Sequence, residues 1–274
     1  MVTFVPSLEA APRNNRVRLL GGEVDAVTPA EVIAFTGERI AAGRRAIVAN
    51  HNLHSLYLMR RDPEMAAFYA MADLVEADST PMILWGRLLG RPIRRAHRAT
   101  YLDWREAFWR AASDKGWRVF YLGGAPGVAA KGAAAIRRRW PKLNLSVRDG
   151  FFDMDDPAED AAVLDEVRAA RPDVLFVGMG MPRQERWIGR HFRSLGPCVS
   201  FSVGAAFDYE AGMVPTPPRW TGRLGVEWLY RLASEPGRLW TRYCVEPWSL
   251  VGPAVGDVAA NLGHTHLFRA HSGR

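Results

Sequence analysis

Short apolar runs alternate with helix-length segments along most of the chain, and this alternation restricts the fold more than any other feature. The clearest unit begins with Trp117–Leu122, which reads as a strand. The tight loop Gly123-Gly124-Ala125-Pro126-Gly127 follows, and then an alanine-rich helix from Val128 to Trp140, closed by Pro141. Leu143 to Val147 reads as the next strand, Pro157 to Ala170 as a helix, and Asp173 to Gly178 as a further strand. Upstream, Arg45 to Asn50 has the pattern of a buried strand ending in polar residues. Pro63 to Met71 reads as a helix, with Met65, Phe68, Tyr69 and Ala72 near helical spacing, and Ala72 to Asp78 as a short strand ending on an acid. Trp104, Phe108 and Ala111 mark one face of another helix. Crossovers of helix length between short strands imply parallel pairing. The expected fold is therefore α/β: a Rossmann-like, largely parallel sheet with helices on both faces and ligands at the carboxyl ends of its strands. After Phe207 the texture changes. Prolines 215, 217 and 218 break regularity, and an aromatic, basic stretch runs from Trp220 through Trp248. This predicts a main domain over residues 1–215 and a mainly helical appendage over 216–274.

Composition narrows the setting. Of 274 residues, 48% are hydrophobic, enough for a sizeable core. The two cysteines, Cys198 and Cys244, form no CxxC pair, so neither a disulfide framework nor a structural zinc site is expected, in keeping with a reducing compartment. The N-terminal string MVTFVPSLEAAPRNNRV lacks the basic start and continuous apolar run of a signal peptide. No run approaches the roughly 18 to 20 apolar residues that span a bilayer. A soluble or peripheral cytoplasmic protein is the expectation.

The net charge of +7 favours anionic partners: phosphate-bearing ligands, nucleic acid or an anionic membrane leaflet. Seven arginines lie between Arg87 and Arg110 against only Asp103 and Glu106, and seven more follow Thr216. A solvated basic surface explains either cluster equally well, so charge alone does not choose the partner.

Individual motifs are each ambiguous. The LGGAPG loop joins a strand to a helix, where free N–H groups suit a phosphate, yet many such turns hold no ligand. It is neither GxGxxG nor a P-loop, which argues against a dinucleotide oxidoreductase or an NTPase. Asp153-Met154-Asp155 resembles the metal-binding DxD of sugar-nucleotide transferases, but Asp156-Pro157 and the helix behind it make capping the better account. Asp78, at a strand end, can face a cleft as a general base or serve as a cap. His51 and His54 lack a partnering acid or cysteine nearby, so no metal is assigned. In Gly178-Met179-Gly180-Met181-Pro182-Arg183-Gln184-Glu185 a strand ends in glycines and presents Gln184 and Glu185 at a helix start.

Read in order, these strings resemble the WecG/TagA/CpsF family of bacterial glycosyltransferases. The resemblance runs from about Asn50 to Tyr243. It rests on Ala72–Asp78, Val119–Gly124, Gly178–Glu185, Val203–Asp208 and Glu227–Leu232, followed by Glu235-Pro236-Gly237-Arg238 and Arg242-Tyr243. It implies transfer of a sugar such as N-acetylmannosamine from a UDP donor to an undecaprenyl-diphosphate-linked acceptor, in teichoic acid, capsule or exopolysaccharide synthesis. The family's proposed base, in Ala-Asp-Gly, falls on Asp78. Its Thr-x-Asn pair falls on Asn50 and Asn52, and its Arg-x-Thr-Gly-x-Asp on Arg98, Thr100 and Asp103. Gly123, Gly124, Gln184, Glu185 and Asp208 fall in the nucleotide-sugar cleft, and Arg231, Arg238 and Arg242 are the appendage arginines that close over the donor diphosphate. Four positions depart from the family pattern. Ser79 and Tyr101 stand for glycines, Asn50 for a threonine, and Thr216-Pro217-Pro218 for Arg-Ala-Pro. Serine and asparagine keep the polarity; Tyr101 adds bulk near the acceptor pocket, where an aromatic face could carry a sugar ring.

The expected mechanism is an inverting single displacement with Asp78 as base, arginines in place of a metal, and no cofactor. Trp220, Trp228, Trp240 and Trp248 with neighbouring arginines suit the inner face of the cytoplasmic membrane, or core and subunit packing. A homo-oligomer is compatible with the resemblance. Two other classes compete: a catalytically silent UDP-sugar-binding module, and a nucleic-acid-binding protein. The second has no recognition helix or stacking platform behind it, so no nucleic-acid partner is expected.

Overall fold

The chain builds a six-stranded parallel sheet and covers both of its faces with helices. A computed structural model of the protein describes residues 15–271; at Arg219, Arg223, Leu224, Arg238 and residues 263–271 it describes the backbone alone. The described part opens with an antiparallel hairpin, β1 (Arg16–Leu19) and β2 (Gly22–Asp25). The first helix, α1 (Pro29–Ala41), starts on a capping box: Thr28 accepts from the Glu31 N–H, and the Glu31 carboxylate accepts from the Thr28 N–H. β3 (Ala46–His51) leads through α2 (Leu53–Met59) and α3 (Pro63–Met71) to β4 (Leu74–Ala77). Next come α4 (Thr80–Leu88) and α5 (Tyr101–Lys115), which ends on Gly116 at φ 67.

From β5 (Arg118–Gly123) the alternation is strict: α6 (Val128–Arg139), β6 (Asn144–Arg148), α7 (Pro157–Ala170), β7 (Val174–Gly178), α8 (Arg183–His191) and β8 (Val199–Ser202). Asp156 caps α7, accepting from the Ala158 N–H at 2.8 Å with Pro157 in the first turn, which is the capping role expected of this acidic run. The short α9 (Ala206–Glu210) precedes a helical C-terminal region. It comprises α10 (Arg219–Leu224), α11 (Glu227–Ser234), α12 (Pro236–Trp240), a π-helical turn (Thr241–Val245) followed by a 3₁₀ turn (Glu246–Leu250), and α13 (Val251–His271).

The sheet order is β4-β3-β8-β7-β5-β6, every neighbouring pair parallel. Side chains alternate across it, as the pleat requires. Ile47, Ala49, Phe120, Leu122, Leu175 and Val177 point into a core shared with α2, α3, α4, α7 and α8. Ala46, Val48, Val119, Tyr121, Val174 and Phe176 point into the other, where Trp104, Phe108 and Ile136 of α5 and α6 are buried. Strands buried on both faces carry near-continuous apolar runs, which is why the sequence revealed them. The expected α/β fold, with helices on both faces and a helical C-terminal region, is the fold observed.

Candidate active site

All six parallel strands deliver their carboxyl ends to one edge of the sheet, and a cavity of about 1160 Å³ opens there. Asn50, Asp78, Gly124, Gly150, Gly178 and Ser202, each at or just past the end of a different strand, line its floor. Tyr230, Arg231, Glu235, Arg242 and Glu246, from α11 and the passage after α12, line the opposite wall. A single small-ligand site takes about 300–1,000 Å³. This volume leaves room for two substrate headgroups at once.

Asp78 is half-buried one residue past β4. Its N–H donates to the His51 carbonyl at 2.9 Å, and its Oδ2 accepts from Asn52 Nδ2 at 3.5 Å. Burial raises its carboxyl above the ordinary range, while Arg98 and Arg231 pull it back and Glu227 adds to the rise. Asn52 also caps α2, its side-chain oxygen accepting from the Ser55 N–H at 3.0 Å. Asn50 is held by donating to the Ser202 carbonyl at 2.7 Å. Between them His51 is buried and stacks on Tyr69 at 3.9 Å. Burial drives its pKa down to about 3, so the ring is neutral.

On the other side of the floor, backbones meet closely. A Cβ at Gly123 would lie 2.3 Å from the Gly178 carbonyl oxygen, so only glycine lets the ends of β5 and β7 converge. Gly124 reaches the cavity; Gly123 lies beneath it. Gln184 lines the wall, accepting from the Gly204 N–H at 3.0 Å and donating to Glu185 at 2.7 Å. Glu185 is fully buried behind Gln184, and burial pushes its carboxyl up to about 7.

Thr100 reaches the cavity and donates to Asp103 at 2.8 Å; Arg98 and Asp103 stand just behind it. Arg98 is committed to Glu227 at 2.7 Å and Asp103 at 3.4 Å, so it ties the α5 region to α11. Arg231 pairs with Glu227 at 3.0 Å and lies over the Tyr209 ring at 5.7 Å. Asp208 and Arg242 line the cavity as well. The side chain of Arg238 lies outside the described residues.

Tyr101 differs from expectation. It touches the cavity, but it is 8% exposed, donates to Glu210 at 2.9 Å and accepts from Trp109 at 3.1 Å. Its ring packs edge-on against Trp104 and Phe176, which makes it core rather than a platform for a sugar. Sequence reasoning also missed Glu76, His54 with its partner Glu246, and Arg183, all of which line the cavity. The two-residue period of β4 was the signal for Glu76, since it places that side chain on the same face as Asp78. Among the described residues no group of three or more His, Cys, Asp or Glu is placed to hold a metal ion.

The profile of the family described as Glycosyl transferase WecG/TagA/CpsF family matches residues 17–261. The chain belongs to this family. The match begins in β1 and ends in α13, well outside the 50–243 stretch whose motifs carry the resemblance, so the hairpin and the first half of the last helix are part of the WecG/TagA/CpsF unit. Among curated relatives, the N-acetylglucosaminyldiphosphoundecaprenol N-acetyl-beta-D-mannosaminyltransferase of Staphylococcus aureus strain NCTC 8325 / PS 47 is 26% identical over 235 residues, covering 82% of this chain and 87% of that protein. The protein of the same name from strain MRSA252 matches to the same extent. The protein is a glycosyltransferase, and its cavity lies at the carboxyl edge of the parallel sheet, the edge at which open α/β folds bind ligands.

Proposed function

We propose that the protein transfers a sugar, with inversion, from a UDP-sugar to an undecaprenyl-diphosphate-linked acceptor in cell-surface polysaccharide synthesis at the inner face of the cytoplasmic membrane. The observation that carries this reading is Asp78. It is a half-buried carboxylate at a strand end, aimed into a cavity with room for two substrates and walled opposite by Arg231 and Arg242. The acceptor hydroxyl oxygen attacks the anomeric carbon, the bond from that carbon to the diphosphate oxygen breaks, and Asp78 takes the hydroxyl proton. Arginines meet the charge growing on the departing UDP, as a metal does in other transferases. The relatives' name supports an N-acetylglucosaminyl-diphosphate acceptor and an N-acetylmannosamine donor.

Residues 1–215 are the catalytic part and 216–274 an appendage that closes the cavity. The Arg98–Glu227 ion pair and the His54–Glu246 hydrogen bond, which join the two parts, support this closure. Trp220, Trp240 and Trp248 are 58%, 59% and 76% exposed, which suits an interfacial contact better than core packing.

The test is UDP release from a panel of UDP-sugars with a short-chain polyprenyl-diphosphate glycan, EDTA being present. Acceptor-dependent release should persist in EDTA and fall at least a hundredfold in Asp78→Asn, within the range expected of a general base. Because burial raises the Asp78 carboxyl, the acid limb of the pH profile should have its midpoint above the ordinary aspartate value of about 3.9. UDP-sugar binding without release would leave a catalytically silent binding module. Release indifferent to Asp78→Asn would keep the enzyme and remove the base.

A further inference from the structure

Glu76 plays no part in the transfer mechanism, yet it sits on the cavity wall. It lies on β4 two residues before Asp78, so the pleat turns both side chains to one face of the sheet. Both line the cavity, and Glu76 is 3% exposed. Its Oε1 accepts from Trp104 Nε1 at 2.8 Å; among the described residues no second hydrogen bond and no cation reaches its carboxyl group. An unpaired buried carboxyl is costly to keep for the sake of one indole N–H. The charged groups that face it are acids, Asp78 just past the end of its own strand and Asp103 on α5, while its cross-strand neighbour on β3 is the neutral Asn50.

We propose that Glu76 is a specificity-determining residue, whose carboxyl group hydrogen-bonds a hydroxyl or acetamido oxygen of the sugar ring lying against β4 beside Asp78. The inference rests on the transferase reading of this cavity. Burial, opposed by the Trp104 hydrogen bond and reinforced by repulsion from Asp78 and Asp103, holds the carboxyl well above the ordinary range. The upward shift favours the carboxylic acid form, in which one oxygen anchors Trp104 and the O–H is a donor for the ligand. A neutral donor also spares Asp78 a second full charge on the same strand face. Sites that hydrogen-bond a substrate group in this way reject analogues lacking it, because the protein group is then left unpaired.

The experiment compares the full-length wild type with Glu76→Leu and Glu76→Gln in steady-state UDP release. Donors and acceptors are varied one polar substituent at a time, for example UDP-N-acetylhexosamines against UDP-glucose, and thermal melting is followed alongside. Leucine should raise one KM at least tenfold and erase the discrimination between sugars differing at one substituent, with a smaller effect on kcat. Glutamine, which offers Trp104 an acceptor and the ligand an N–H, should recover most of both. A change in donor KM assigns the contact to the donor ring, and a change in acceptor KM to the acceptor ring.

Wild-type KM should also climb as rising pH ionises Glu76, and that of Glu76→Gln should not. This arm applies even if the leucine variant does not fold. Lower melting temperature with unchanged KM and sugar ranking would reduce Glu76 to an anchor for Trp104 and overturn the proposal, as would identical pH profiles of KM for wild type and Glu76→Gln. If wild type binds UDP-sugars without releasing UDP, the transferase reading falls. The same comparison is then made on Kd, where a tenfold weakening in leucine supports the contact and no change overturns it. No binding of any UDP-sugar by wild type overturns both.

Discussion

Glu185 shows how much of this site is built from groups held out of water. Its side chain is fully buried, its Oε1 accepts from Gln184, and its Oε2 has no hydrogen-bond partner. The result is a carboxyl raised to about 7 against about 4.3 for a free glutamate. The sign of the linkage follows. Between those two values the native protein keeps a proton that the unfolded chain has lost, so stability falls as pH rises. The slope is at most about 1.4 kcal/mol per pH unit, and the loss over the whole window approaches ~4 kcal/mol. Below the unfolded value and above the folded one the contribution is flat. Glu185→Gln keeps the shape and cannot ionise. It should melt close to wild type at pH 5 and several degrees higher at pH 8, as read by calorimetry at the two pH values. Equal melting temperatures at pH 8 would mean that the carboxylate finds a counter-charge or water when it ionises. His51 obeys the same logic with the opposite charge sign, since burial disfavours its charged form and holds it neutral.

The strand ends at the cavity floor depend on glycine, and this can be tested element by element. A Cβ on Gly178 would lie 2.5 Å from Tyr121 Oη and 2.6 Å from the Gly204 carbonyl oxygen. Neither can retreat without parting β7 from β5 or from the turn after β8. Gly178→Ala should therefore cost about 1–3 kcal/mol in urea unfolding and reduce UDP-sugar binding, as overpacking does. Gly189 in α8 is the contrasting case. Its nearest neighbour would be Met71 Cε at 3.6 Å, so Gly189→Ala should be neutral or stabilise by up to about 1 kcal/mol. An equal loss in both variants would show that packing at the strand ends is looser than the contact distances imply. The same elements explain what could be read from the sequence. β5 and β7 announce themselves as apolar runs, and α3 and α7 by an acid-proline start followed by helical spacing. β8 does not, because Ser200 and Ser202 alternate with apolar residues and are nevertheless buried mid-sheet. The charged strands β1 and β2 gave no signal either: Arg16 is paired with Asp25 across the hairpin, and Asp25 also accepts from the Val75 N–H. In the site, the sequence showed Asp78 as an acid at a strand end, able to face a cleft or to cap, whereas Asn50 and Asn52 entered only through the family resemblance. The pairs Arg98–Glu227 and His54–Glu246 bridge 129 and 192 residues, and no local period encodes such contacts.

At the scale of the whole molecule, the C-terminal region joins the cavity wall to an outward-facing apolar stripe. α13 is anchored by Asp257, which accepts from the Leu20 N–H at 2.7 Å and from Trp85 Nε1 at 2.9 Å. With that side docked, Trp248, Val251, Val255, Val258 and Leu262 remain exposed at alternating intervals of three and four residues, the spacing of one helix face. No helix among the described residues is long and apolar enough to cross a membrane. A stripe of this kind suits a helix lying in the interface plane, and the proposed acceptor, whose tail stays in the bilayer, requires the cavity mouth to come near that plane. Val251→Glu combined with Val255→Glu places two charges on the stripe at positions 51% and 63% exposed, where the fold tolerates them. The double variant should lose cosedimentation with anionic vesicles, and its transfer to a long-chain acceptor embedded in those vesicles should fall at least tenfold. Transfer to a short-chain acceptor in solution should continue at the wild-type rate, because neither valine lines the cavity. Cosedimentation unchanged by the two glutamates would move the contact away from α13. Equal loss with both acceptors would mean that the stripe supports the fold of the cavity wall and not its approach to the membrane.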